Sequence, residues 1–114
     1  MLDYVLERER IEQGIRARAT KISVSGNVDV LATLENGGVV ELTLSEALVV
    51  ALLKQDVTQF YAIFGHGSTD LGEVLRLYHE EGVLSVINCR NEVEMAHAAT
   101  AYAWVHGKTP AVVT

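Results

Sequence analysis

From residue 43 onward, short β-branched runs alternate with stretches of helical period, and few folds accommodate that order. Thr43-Leu44-Ser45-Glu46 has the form of a capping box. The segment it opens, to Lys54, is apolar nearly all round and predicts a helix buried on more than one side. Gln59-Phe60-Tyr61-Ala62-Ile63-Phe64 reads as a strand, broken by the glycine-flanked turn Gly65-His66-Gly67. Apolar residues at 71, 74, 75 and 78 then keep the 3.6-residue period until Gly82 stops it. A second strand is expected over 83–89 and a helix over 91–106, with Asn91 as N-cap, Glu94 three residues on, and Gly107 where a C′ glycine belongs. Pro110-Ala111-Val112-Val113-Thr114 opens a third strand. Strands alternating with helices imply an α/β fold, a partial parallel sheet with flanking helices.

The preceding residues differ in character. Residues 3–20 are charged and rich in helix formers, with Val5, Leu6, Ile11 and Ile15 at loosely helical spacing, and predict a partly exposed helix that Gly14 weakens. From Lys21 the pattern becomes period two, and Glu35-Asn36-Gly37-Gly38 separates two apolar alternations. Residues 21–42 therefore predict a β-hairpin or small meander, with a further turn at Ser25-Gly26-Asn27. The expected division is an N-terminal extension over 1–42, helix plus β-hairpin, and an α/β domain over 43–114. A sheet of three parallel strands with an exposed last edge predicts a piece of a longer protein, or one needing a partner chain.

Charge and composition exclude some roles. A formal net charge of −6 argues against nucleic acid or an anionic membrane as main partner, since both reward clustered Lys and Arg. No apolar run approaches a membrane span and the first residues lack the order of a signal peptide, so the cytoplasm is expected. The one cysteine, Cys89, makes no internal disulfide and reads as a small buried hydrophobe.

Glu92 is the candidate for chemistry. It falls on the first helical turn just past the carboxyl end of a strand, and in open α/β sheets ligands sit in that crevice. Arg90-Asn91-Glu92, followed by Met95-Ala96-His97-Ala98-Ala99 and Ala101-Tyr102-Ala103, resembles the pyrimidine-binding domain of thiamine diphosphate-dependent enzymes, the superfamily of acetohydroxyacid (acetolactate) synthases and 2-oxoacid decarboxylases. The Asn in the triplet, with Phe64-Gly65-His66-Gly67 upstream, is most similar to the trihydroxycyclohexanedione hydrolases of inositol breakdown. The resemblance runs from about residue 42 to 114, roughly the first half of such a domain.

This resemblance implies a role for each residue. Glu92 would hydrogen-bond the aminopyrimidine of thiamine diphosphate, favour its imino tautomer, and so be both catalytic and cofactor-binding. Gly65, His66 and Gly67 would form a loop approaching cofactor or substrate. Mg2+ would be held by a second domain through a Gly-Asp-Gly motif, which these residues lack, so the segment alone is expected to be inactive. The substrate would be a small carbonyl compound whose neighbouring C–C bond is cleaved or formed, and the enzyme a homodimer or homotetramer. The competing reading is a non-catalytic α/β binding or assembly module in which Glu92 only complements the helix dipole.

Other motifs fail. Glu94 and His97 make a single E-x-x-H, where a carboxylate-bridged metal pair needs two. His106-Gly107-Lys108-Thr109 ends like a phosphate-binding loop, but Tyr102 stands where the first glycine must be. Gly65 and Gly67 lack a third glycine, position 70 being Asp, and no G-x-S-x-G occurs. His79 and His106, near helix ends, read as surface residues.

Overall fold

Ile15, Ala19 and Ile22, spaced i, i+4, i+7, form one inward stripe on a single helix, α1 (Leu2–Ser25), in the computed structural model, which describes residues 1–33 and 36–114. The helix therefore runs beyond residue 20 and absorbs the start of the expected β-hairpin. Among the described residues no strand forms between 21 and 42; Val28–Thr33 and Asn36–Gly38 are 3₁₀ turns instead. Leu34 and Glu35, within the expected hairpin corner, lie outside the described residues.

The physical reason lies in which side chains find a core. A strand would turn Ile22 and Val24 to the same side, whereas the helical period buries Ile22 below Ala19 and leaves Val24 exposed. Ser25-Gly26-Asn27 does turn the chain, but as a helix end. Gly26 adopts φ 68° and its N–H donates to the Ile22 carbonyl at 2.8 Å.

Thr43 caps α2 (Leu44–Lys54), its hydroxyl accepting from the Glu46 N–H at 3.2 Å. Only half of the capping box forms, because the Glu46 side chain turns inward rather than back to Thr43. This helix buries Val49, Val50 and Leu53 but leaves Leu44 and Leu48 exposed, so it is covered on one side rather than all round. Then follow β1 (Gln59–Ala62), α3 (Thr69–Glu80), β2 (Ser85–Asn88), α4 (Glu92–His106) and β3 (Ala111–Val113).

The three strands form one parallel sheet in the order β2-β1-β3, as the alternation of strands and helices implied. Successive residues of β1 point to opposite faces and so sort the helices. Phe60 joins Ile22, Val49, Leu75 and Tyr78 in the main core, while Tyr61 meets the ring of Tyr102 edge-on, 6.4 Å between centroids. α1, α2 and α3 therefore cover one face, and α4 lies on the other. The first crossover carries the chain from the central strand β1 out to β2, and the second returns it past β1 to β3. The direction of winding thus reverses between β1 and β3, the place where open α/β sheets bind ligands at their carboxyl ends. At the opposite end of the sheet Lys108 pairs with Asp56 at 2.8 Å, tying the approach to β3 to that of β1. Among the described residues no helix is long and apolar enough to cross a membrane.

Candidate functional site

The handover from β2 to α4 fixes Glu92. The Cys89 N–H donates to the Ala62 carbonyl at 3.0 Å, so the chain stays paired to β1 until just before the turn. Asn91 is extended, with φ −152°, and its side chain accepts from the Glu94 N–H at 2.8 Å. Glu92 is thus the first residue of α4, its carboxylate exposed at the rim of the sheet. One of its oxygens, Oε1, receives the Thr114 hydroxyl at 3.5 Å, and this is its one side-chain hydrogen bond among the described residues. Thr114 directly follows β3, so the carboxylate, carried on the helix after β2, stands at the carboxyl end of β3. The pairing could be foreseen only from strand order, since no local motif joins positions 92 and 114.

The turn after β1 leaves the sheet in another direction. Ser68 Oγ accepts from the Gly65 N–H at 3.0 Å and closes a 3₁₀ turn over His66–Ser68, with His66 exposed. Gly65 and His66 line an open groove of about 680 Å³ between α3 and the outer edge of β2, along with Phe64, Val86, Arg76 and His79. Gly67 and Glu92 lie outside that lining. Gly72 lets the Phe64 ring lie against α3, since a Cβ there would be 3.2 Å from the ring. His79 accepts the outward Val86 N–H on Nδ1 at 3.2 Å and so covers part of the free sheet edge. Arg76 is engaged by Glu73, Glu80 and Glu12, and hydrogen bonds to Glu73 and Glu80 raise its pKa further.

α4 meets the sheet through a narrow side. Met95 is its one buried residue, and Tyr102 lies half-buried over Tyr61, whose phenol burial pushes up in pKa. Away from this seat, Val93 and Trp104 on the opposite side and Val105 on the flank are exposed to solvent at 69%, 86% and 77%.

Strand order, with helices on both faces, defines a doubly wound α/β module; in such sheets ligands bind at the carboxyl ends of the strands, where Glu92 stands. The family described as thiamine pyrophosphate enzyme, N-terminal TPP binding domain, matches residues 42–114, most of the chain, and the chain belongs to that family. Membership supports thiamine diphosphate as the cofactor and an enzyme as the functional setting. No curated protein and no solved structure matches the chain. The residues present fit one end of such a cofactor. Glu92 offers an exposed carboxylate whose Oε2 has no protein donor among the described residues, which leaves an oxygen free for a ring nitrogen.

Proposed function

We propose that this chain forms the pyrimidine-binding part of a thiamine diphosphate-dependent enzyme that cleaves or forms a C–C bond next to a carbonyl, with Glu92 as its catalytic carboxylate. The observation that carries this reading is the placement of Glu92: capped into position by Asn91, at the carboxyl rim of a parallel sheet, inside the family-matched residues. When bound, thiamine diphosphate supplies the carbanion chemistry that attacks a carbonyl carbon. Glu92 would share a proton with the aminopyrimidine nitrogen of the bound cofactor through its free oxygen. Asn91 and the first turn of α4 keep that oxygen at the rim, and Thr114 steadies the other. Gly65, His66 and Gly67 form the turn at the carboxyl end of β1, and His66 would approach substrate or cofactor from the α3 side of the sheet, not from beside Glu92. Magnesium would be held by a second domain, outside the matched residues.

The reaction class closest to this sequence is hydrolysis of a cyclic dione of the inositol type, on the strength of Arg90-Asn91-Glu92 and Phe64-Gly65-His66-Gly67. We further propose a cytoplasmic homodimer or homotetramer, and the apolar outer side of α4, with Trp104 exposed, supports assembly on that face. The test compares the complete enzyme with its Glu92→Gln variant for turnover of a cyclohexanedione substrate and for thermal stabilisation by added thiamine diphosphate and magnesium. Turnover is expected to fall by about 10²–10⁴-fold in a folded variant, the usual range for a lost proton-transfer group. Unchanged turnover removes Glu92 from the mechanism and leaves a helix-cap acid in a binding or assembly module.

A further inference from the structure

Helix α1 precedes the family-matched residues, yet it enters the same core. Its stripe of Ile15, Ala19 and Ile22 is buried with Val49 of α2, Phe60 of β1 and Tyr78 of α3. Arg18 reaches across to Glu46 of α2, which is 0% exposed. Its Nε donates to Glu46 Oε1 at 2.9 Å and its Nη2 to Oε2 at 2.6 Å, the two-pronged geometry that suits a guanidinium to a carboxylate. The Tyr78 hydroxyl, from α3, donates to the same Oε1 at 2.9 Å. Three helices thus meet on one carboxylate.

A second feature of α1 serves the same contact. Gly14 stands in the helix interior, where glycine is unfavourable. A Cβ at this position would lie 3.3 Å from Arg18 Nη1 and 3.6 Å from Nη2. The missing side chain leaves the space that the guanidinium occupies.

We propose that α1 is an obligatory part of the folded domain, and that Arg18, itself partly exposed, is the counter-ion without which α2 and α3 cannot enclose Glu46 and Tyr78. A carboxylate withdrawn from water is tolerated when paired and fully hydrogen-bonded, and strongly disfavoured when its partner is removed. Glu46 meets the first condition, since among the described residues no buried side-chain nitrogen or oxygen lacks a partner. Burial and the Glu46 charge push the Tyr78 hydroxyl well up in pKa, so it stays a neutral donor. Arg16, on the same helix, offers the contrast. It pairs with Glu80 and Glu81 near the surface, where ion pairs contribute little. The inference concerns folding and stands apart from any role of Glu92.

The test is thermal unfolding of the full chain, followed by circular dichroism, for Arg18→Met, Arg16→Met and the double variant Arg18→Met/Glu46→Leu. Arg18→Met is expected to lower the midpoint by more than about 10 °C, or to prevent folding. Arg16→Met is expected to lower it by less than about 5 °C. The double variant, which removes both charges of the pair and so leaves no buried carboxylate unpaired, is expected to fold and to recover at least half of the loss. Equal effects of the two single variants, or a double variant no more stable than Arg18→Met, overturn the proposal.

Discussion

Thr114, just past β3, donates its hydroxyl to Glu92 Oε1 at 3.5 Å, joining the end of one strand to the helix that follows another. That distance is at the long limit for a hydroxyl donor, and both groups are exposed. Replacing Thr114 by Val in the complete enzyme is therefore expected to lower turnover by less than about tenfold, the range of a modest net hydrogen bond. Steady-state kinetics of the variant check it, with Glu92→Gln as the severe reference.

Asn91 holds Glu92 by a better bond. Its side chain accepts from the Glu94 N–H at 2.8 Å and replaces one missing partner at the start of α4. Asn91→Ala is expected to cost about 1 kcal/mol of stability by urea unfolding. Turnover should fall further than in the Thr114 variant, because the first turn of α4 frays with the carboxylate upon it.

Gly14 and Arg18 are predicted to be energetically coupled. In an ordinary helix interior, Gly→Ala stabilises by roughly 0.5–1 kcal/mol. Here the new methyl would crowd a guanidinium that Glu46 holds on both prongs. Gly14→Ala is expected to yield less than that gain in the native background and the full gain beside Arg18→Met. A double-mutant cycle measured by urea unfolding reads the difference.

Acid should weaken the face where α1 meets α3. Glu80 accepts from Arg16 at 2.7 Å and Arg76 at 2.8 Å, and these bonds hold its carboxyl below the usual value of 4.5. The folded state then binds fewer protons than the unfolded state between the two values. The contribution is complete above the unfolded pKa and is lost as pH falls through the folded one. Unfolding midpoints should drop between about pH 5 and pH 3, and less steeply in Glu80→Gln.

Local chemistry is legible in the sequence. Thr43 and Asn91 as N-caps, Gly107 as the left-handed C-cap at φ 64°, and the stripe of α3 all depend on residues within one or two turns. The alternation after residue 43 gave the parallel sheet for the same reason. The expected hairpin over 21–42 gives way to helix at its start because a period-two run of Ile22, Val24 and their neighbours is also compatible with a helix. What decided between them was Ile15 and Ala19, which extend one apolar stripe down to Ile22. Glu46 was read as the return half of a capping box, a local inference overridden by Arg18, 28 residues earlier. Thr114 beside Glu92 was likewise out of reach, being set by strand order.

The narrow seat of α4 bears on how this site responds to ligand. In the unassembled chain, a helix resting on Met95 and Tyr102, with Trp104 and Val105 in water, is expected to open at lower free energy than the layer around Phe60 and Leu75. Its amides should exchange with deuterated water well before those of α3. Anything that grips Glu92 then has to slow that exchange along the whole of α4, and occupancy becomes readable as protection spreading from residue 92 toward Gly107.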